Sequence, residues 1–149
     1  MLADFPICIQ ARLKSKRLPL KVCLALSDNL TVLDYLIYRL IKIKNKLKFR
    51  SKVYLLVPNS EVSLFSQKIK NKNVVIFGGP EHNLSKRFYE FLSNSKFIAA
   101  YRITADNPFM CIDPFLIIQN FLKDEKFSQQ KLSNSIISLY PQKKLPNGL

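Results

Sequence analysis

Histidine, cysteine and glycine are all scarce in this 149-residue chain, which contains 1, 3 and 3 of them. Because His82 is the single histidine, no Ser-His-Asp or Cys-His set can be assembled, and nucleophilic hydrolysis has little support. Cys8, Cys23 and Cys111 are far apart and form no C-x-x-C pair. Neither a zinc site nor a disulfide framework is therefore indicated.

Acidic residues are also few. The chain has 10 of them and 24 lysines and arginines, which gives a formal net charge of +14. The cations concentrate in residues 12–21, 39–52 and 68–72. Phosphorylated metabolites, nucleic acid and anionic lipid are the partners that such a charge attracts. A composition rich in lysine and asparagine also arises in AT-rich genomes without selection for binding. Residues 39–52 favour a solvated helix end over a nucleic-acid patch, since no glycine or aromatic interleaving accompanies them.

Long apolar runs are missing as well. No stretch reaches about 18 apolar residues without a charge, and no basic segment followed by a long apolar region opens the chain. We therefore expect a soluble, cytoplasmic protein without a membrane span. A hydrophobic content of 48% predicts a folded core, and the length predicts a single domain over residues 1–149.

Short apolar runs alternate along the chain with segments of helical periodicity. The predicted strands are residues 7–9, 53–57, 74–77, 97–104 and 135–139, and the predicted helices are residues 31–44, 60–69, 84–92 and 113–122. Residues able to cap a helix stand at the helix starts, namely Thr31 with Asp34 as a capping box, Ser60, Asn83 and Asp113. This alternation predicts an α/β fold, a Rossmann-like three-layer sandwich whose mainly parallel sheet has helices on both faces.

The segment after the first predicted strand carries five cations and no acid. They are Arg12, Lys14, Lys16, Arg17 and Lys21. In an open α/β sheet, the loops at the carboxyl ends of the strands form the ligand crevice. A cationic loop there indicates a polyanionic ligand such as a nucleotide phosphate, and the alternative is a solvated basic loop.

Two further loops, residues 78–83 and 105–112, leave strands at the same predicted edge. Gly78 and Gly79 would give the first of them backbone freedom. Asp106, in the second, could hold Mg²⁺ against phosphate oxygens. Asp106 precedes Asn-Pro and, taken alone, is more often an ordinary turn former than a metal ligand, whereas Asp113 is interpreted as a helix cap rather than a ligand. Together the three loops supply what nucleotidyl transfer requires.

The first cationic loop also resembles a known family. The matching residues are Gln10, Ala11, Arg12, Ser15, Arg17, Leu18, Pro19, Lys21 and Val22. They are similar to the pattern Q-A-R-x-G-S-x-R-L-P-G-K of the bacterial sugar cytidylyltransferases, in the spore coat polysaccharide branch related to CMP-Kdo and CMP-neuraminate synthetases. Lys14 and Leu20 replace the two glycines of that pattern. Glycine there would let the backbone approach a phosphate closely and adopt a positive φ.

Two later blocks extend the resemblance to about residues 6–120. Arg102, Thr104, Asp106, Pro108, Asp113 and Pro114 resemble the family's R-x-T-G-D-C-P-L-x-D-P, with two extra residues after Pro108. Gly79, Glu81, Leu84, Arg87, Phe88 and Tyr89 resemble its G-S-E-D-D-V-L-D-R-Y. The three blocks occur in the family's order.

The resemblance implies a nucleotide-diphospho-sugar transferase-like fold and transfer of CMP from CTP to a sugar or keto-sugar acid, with release of pyrophosphate, in cell-surface polysaccharide biosynthesis. It implies nucleotide-binding roles for Gln10, Ala11, Arg12, Leu13, Ser15, Arg17, Lys21, Gly79 and Arg102. Within that set, Arg12 and Lys21 would be catalytic, neutralising charge on the phosphates, and Asp106 would hold Mg²⁺. Arg102 could instead form a structural ion pair with Asp106 or Asp113.

The family's next segment, P-x-G-L-D-x-E-V, contributes a second acid and a dimerisation arm, and residues 146–149 resemble its start. We therefore expect a domain incomplete at its carboxyl end, with a homodimer or a complementing carboxyl-terminal fragment as partner. Two alternatives stay open. One is a non-catalytic domain that binds nucleotides or RNA through the same basic crevice, and the other is a structural or partner-bound fragment without a ligand.

Overall fold

The structure is a computed structural model, and it describes residues 5–14 and 18–123. The chain divides into two compact units, one of residues 4–111 and one that joins residues 1–3 to residues 112–149. The first unit contains the sheet, and the described part of the second contains one helix. The predicted strand at residues 135–139 and the predicted polar loop at 124–131 lie outside the described residues.

The described elements alternate between strands and helices as the sequence predicted. In chain order they are β1 (Ile7–Gln10), β2 (Ala25–Ser27), β3 (Leu30–Thr31), α1 (Val32–Lys46), β4 (Val53–Pro58), α2 (Val62–Lys68), β5 (Val74–Gly79), α3 (Leu84–Ser93), β6 (Tyr101–Thr104) and α4 (Asp113–Lys123). Two 3-10 turns, Lys21–Cys23 and Asn59–Glu61, precede β2 and α2. The antiparallel hairpin of β2 and β3 was not predicted.

Four strands form one parallel sheet in the order β5-β4-β1-β6. The connections through α1 and α2 step outward from β1 to β5, whereas the connection through α3 steps back across the sheet to β6. Because parallel crossovers are right-handed, this reversal puts α3 on the face opposite α1 and α2. The predicted α/β fold with a parallel sheet is confirmed. In open α/β sheets, such a reversal marks the edge at which ligands bind, here the carboxyl ends of β1 and β6.

An aromatic cluster fixes α3 to its face of the sheet. The ring of Phe91 is 4.8 Å from that of Tyr54 and 5.3 Å from that of Phe77, measured between centroids. Phe97 packs on the same cluster, 5.8 Å from Tyr54. We predicted that Phe97 belongs to a strand of residues 97–104, which is wrong. The strand starts only at Tyr101, which is opposite Ile7, the first residue of β1, and whose N–H donates to Pro6 O at 2.9 Å.

The residues at the starts of α1, α2 and α3 can be compared with the predicted helix caps. Thr31 and Asp34 form the capping box of α1, with each side chain accepting from the other's backbone N–H. Asn83 Oδ1 accepts from the N–H of Lys86 at 2.8 Å and so caps α3. The prediction that Ser60 caps a helix is wrong, because its hydroxyl donates to Glu81 Oε2 at 2.6 Å and α2 begins at Val62 without a side-chain cap.

The described helices are short. The longest of them, α1, has 15 residues, and α2 has 7. A helix needs about 20 apolar residues to cross a bilayer. Within residues 5–14 and 18–123, no helix combines the length and the apolar character that a membrane span requires.

Phe91→Ala should lower the free energy of unfolding by about 3 to 5 kcal/mol, because it removes the ring around which Tyr54, Phe77 and Phe97 pack. Tyr89→Ala is the matched control on the same helix, since Tyr89 is 70% exposed, and it should change stability by less than about 0.5 kcal/mol. Urea unfolding followed by circular dichroism measures both. Equal effects of the two substitutions would show that α3 does not pack as described.

Candidate functional site

The candidate site lies where β1 and β6 end side by side. Beyond the two strands, the N–H of Ala105 still donates to Gln10 O at 3.0 Å, and the N–H of Ala11 donates to Leu56 O at 3.1 Å. The segments that follow Gln10 and Thr104 therefore leave the sheet at one edge. This edge is the point where the chain reverses its direction across the sheet, which is where open α/β sheets bind ligands.

Lys21 and Asp106 meet at this edge, although 85 residues separate them. Lys21 Nζ lies 2.5 Å from Asp106 Oδ2, and the two side chains keep 30% and 49% of their surface exposed. The pKa of Asp106 is lowered, mainly by the hydrogen bond from Lys21. Burial raises the pKa, and a hydrogen bond with the Thr104 side chain lowers it further. The site thus presents an ionised carboxylate and an ammonium group together to solvent.

A tight turn positions Lys21. The N–H of Leu20 donates to Leu13 O at 2.9 Å, and the N–H of Cys23 donates to Leu20 O at 2.8 Å. Leu20 itself adopts the left-handed conformation, with φ 57° and ψ 17°. This is the position at which the resembling pattern has glycine, so the chain keeps the glycine-like backbone with a leucine side chain. A left-handed conformation costs a residue other than glycine about 1 to 2 kcal/mol.

Glu61 supports the loop after β1 from inside the protein, and the sequence did not reveal it. Its side chain is 1% exposed, and its Oε2 and Oε1 accept from the N–H groups of Leu13 at 2.7 Å and Lys14 at 3.1 Å. Sequence periodicity placed Glu61 inside a predicted helix, as one more polar position. The available signal was weak: an acid three residues beyond the carboxyl end of a buried strand.

Gln10 and Arg102 contact each other across the two strands. Arg102 Nε donates to Gln10 Oε1 at 3.1 Å, so its observed partner is an amide rather than the carboxylate of Asp106. Arg12 is exposed, and its charge acts on Arg87. The pKa of Arg87 is lowered chiefly by burial and to a lesser extent by Arg12, while Glu61 and Glu81 oppose the shift. Convergence of Arg12 with Lys21 and Asp106 stays a prediction.

Among the remaining predicted nucleotide-binding residues of the loop after β1, the structure describes Ala11 and Leu13. Ala11 and Leu13 are buried, with 3% and 5% of their surface exposed, and their N–H groups donate to Leu56 O and Glu61 Oε2. These two amides are therefore already bonded within the protein. Ser15 and Arg17 lie outside the described residues.

Gly78 and Gly79 are required for space rather than for backbone freedom, which corrects our prediction. Neither adopts a left-handed φ, and both lie within β5. A Cβ on Gly78 would lie 2.6 Å from Val62 Cγ2, and one on Gly79 would lie 2.6 Å from Arg87 Cγ. Arg87 covers Gly79 and donates through Nη2 to Pro80 O at 2.7 Å. The pair of glycines thus lets α2 and α3 approach the end of β5.

The donor set around Asp106 suits a cation that arrives with its own oxygen ligands. Within the described residues, no three His, Cys, Asp or Glu side chains come together as a ready-made metal site. Mg²⁺ often binds through one or two carboxylates and completes its octahedron with water and substrate phosphates. A single half-exposed carboxylate fits that role, and Mg²⁺ at Asp106 stays a prediction.

The reversal beside β1 and the charged pair at its edge are typical of α/β proteins that bind their ligand at the carboxyl ends of the strands. A family model described as Cytidylyltransferase matches residues 7–137. The chain therefore belongs to the cytidylyltransferase family, as the three sequence blocks indicated. The spore coat branch stays a prediction.

Two solved structures are among those similar to this one. A cytidylyltransferase from Leptospira borgpetersenii serovar Hardjo-bovis (strain JB197) superposes with a TM-score of 0.68 at 28% identity, over 83% of this chain and 50% of that one. A CMP:2-keto-3-deoxy-manno-octonic acid synthetase complexed with CTP gives a TM-score of 0.62 at 16% identity, over 81% and 48%, and supports the fold alone. This chain thus spans about half the length of either. No curated protein matches it.

Asp106→Asn should lower the free energy of unfolding by less than about 1 kcal/mol at neutral pH, because the pair with Lys21 is partly exposed. The folded-state pKa of Asp106 is depressed, so its contribution is present above the unfolded pKa of about 3.9 and is lost as pH falls through the folded value. Urea unfolding of both proteins from neutral pH downward measures this. A stability difference that grows on acidification would contradict the assignment.

Leu20→Gly should raise the free energy of unfolding by about 0.5 to 1 kcal/mol, because it relieves a left-handed residue whose side chain is 53% exposed. Lys48→Gly is the matched control, since Lys48 has the same φ of 57° at the end of α1, away from the site. Denaturant midpoints should rise for both variants. A loss of stability confined to Leu20→Gly would mean that the leucine side chain makes contacts that outweigh its backbone strain.

Proposed function

We propose that this chain carries the nucleotide site of a CTP-dependent cytidylyltransferase, which transfers CMP from CTP to a sugar or keto-sugar acid in polysaccharide biosynthesis. The observation that supports it best is the pair of Lys21 and Asp106 at the carboxyl edge of β1 and β6. A cation and an ionised carboxylate side by side suit a ligand that combines negative phosphates with a bound metal ion. Membership of the cytidylyltransferase family supports CTP as the nucleotide.

The proposed reaction is a substitution at the α-phosphorus of CTP. A hydroxyl oxygen of the acceptor forms a bond to that phosphorus, and the bond between the phosphorus and the oxygen bridging to the β-phosphate breaks. Pyrophosphate leaves with the electron pair, and the hydroxyl proton passes to solvent. Because negative charge builds up on the departing pyrophosphate, fixed cations beside it stabilise the transition state.

Lys21 would supply one such cation. Its ammonium group is paired with Asp106 in the present structure. The Lys21 side chain is 30% exposed, so a phosphate can approach it. Arg12, exposed on the same loop, would supply the second cation, and Gln10 and Arg102 would line the edge beside them. Asp106 would hold Mg²⁺. A bound Mg²⁺ would supply positive charge that partly neutralises the phosphates.

Asp106→Ala and Lys21→Ala should each reduce Mg²⁺-dependent pyrophosphate release from CTP and a keto-sugar acid by at least about 100-fold, because each removes a charge that acts on the phosphates. Asp28→Ala and Lys72→Ala are matched controls, since both side chains are exposed in turns away from the site, and they should retain activity. A coupled pyrophosphate assay measures the rates, and circular dichroism confirms that all four variants are folded.

Other outcomes separate the alternatives. Thermal stabilisation by CTP without turnover would support a non-catalytic nucleotide-binding domain. RNA binding that weakens steeply with salt and is unaffected by Asp106→Ala would support the RNA-binding alternative. Absence of both CTP binding and turnover in the wild-type protein would refute the proposed function.

A further inference from the structure

Glu61 is a buried acid that the proposed chemistry does not use. Its carboxylate is 1% exposed, and each of its two oxygens accepts a backbone N–H from the loop after β1. Adjacent backbone N–H groups that converge on one point form an anion-binding concavity. In this protein the anion in that concavity is a side chain of the same chain, and it comes from a turn 47 and 48 residues further on.

The burial of Glu61 is compensated by these contacts. An ionised carboxylate is costly to bury unless donors or opposite charges surround it. Leu13 and Lys14 provide two donors, and the positive charge of Arg87 is close enough to interact with Glu61. Because Glu61 follows β4 directly in a 3-10 turn, its backbone is anchored to the centre of the sheet. The loop is therefore tied to a rigid part of the fold.

A short chain of hydrogen bonds runs from Glu61 to Lys21. Glu61 accepts from the N–H of Leu13, and the carbonyl of the same residue accepts from the N–H of Leu20 at 2.9 Å. Leu20 is the left-handed residue directly before Lys21, which pairs with Asp106. The position of the Lys21 backbone thus depends on where Leu13 is held.

We propose that Glu61 is a positioning residue, which fixes the loop at Leu13 and Lys14 so that Lys21 is held ready for the nucleotide phosphates. Because Glu61 also accepts hydrogen bonds from the N–H groups of Leu13 and Lys14, these backbone donors are not free to bind phosphate. Phosphate is therefore bound by the side-chain cations. The part concerning nucleotide affinity rests on the proposed function, whereas the part concerning the loop does not.

Amide hydrogen exchange of the wild-type protein, followed by NMR without nucleotide, is the first test. The N–H groups of Leu13 and Lys14 should exchange at least about tenfold more slowly than an unprotected amide, because a hydrogen bond to a charged group protects them. Unprotected exchange at both positions would overturn the inference, whatever the nucleotide experiments show.

Glu61→Gln is the second test, with Glu81→Gln as the matched control. The glutamine keeps the shape of Glu61 but accepts through one oxygen, so Leu13 or Lys14 exchange should accelerate about tenfold and the Kd for CTP should rise about tenfold in the folded protein. Glu81 accepts from the Ser60 hydroxyl and not from the loop, so Glu81→Gln should change either quantity less than twofold, about the scatter of such data.

Glu61→Asp, which keeps the charge but shortens its reach, should give an intermediate Kd if Glu61→Gln does not fold. A variant that is destabilised but exchanges Leu13 and Lys14 normally and binds CTP with wild-type affinity would show a merely structural role and refute the proposal. Failure of the wild-type protein to bind CTP would count against the proposed function alone, because the exchange experiments still decide the role of Glu61.

Discussion

The pairing of β1 with a strand on either side is the constraint on which the rest of the structure depends. This strand has four residues, and all four are in register with both β4 and β6. The N–H and C=O groups of a buried strand must be satisfied, and β6 ends at Thr104, opposite the last residue of β1. Because β6 ends beside β1, the segments containing Lys21 and Asp106 begin at adjacent points. The charged pair is thus a consequence of strand register.

The loop after β1 keeps its shape without the glycines that a phosphate-binding loop usually has. Leu20 takes a left-handed conformation, and the N–H groups of Leu13 and Lys14 bond to a buried carboxylate. Two different interactions therefore replace backbone freedom: local strain at one end and an internal anion at the other. A loop built in this way has fewer free backbone donors, which shifts the recognition of an anion toward its cationic side chains.

Local signals in the sequence predicted much of the fold. The capping residues Thr31 and Asn83 and the apolar strand at residues 53–57 depend on neighbours within a few positions. The predictions of the fold that were wrong or missing concern features that depend on residues distant in the sequence. Phe97 is apolar and β-prone, yet it packs on the aromatic cluster, and the pairing with β1 starts only at Tyr101. In the β2–β3 hairpin, β2 is exposed and β3 is half-buried, and the strands have only three and two residues, so the hairpin leaves no alternating pattern.

In the candidate site, too, some features could be predicted from the sequence and others depend on distant partners. Lys21 and Asp106 could be predicted to meet, because each follows a strand whose end lies at the ligand edge of a parallel sheet. The contacts of Glu61 could not be predicted, since its donors, Leu13 and Lys14, lie 48 and 47 residues earlier in the chain. The expectation of backbone freedom at Gly79 was wrong for a similar reason, because the atom that leaves no room for a Cβ belongs to Arg87 on α3.

Stability and function draw on different parts of this molecule. The core is apolar and aromatic, and its contacts lie between the sheet and its helices. The pair of Lys21 and Asp106 is partly exposed, so its Coulomb energy is screened and contributes little to folding. The same exposure lets each partner exchange its present contact for a ligand's charge at small cost. A weak ion pair at the edge of a strong core is therefore suited to a charged ligand such as the nucleotide that we propose, because the ligand need not compete with folding.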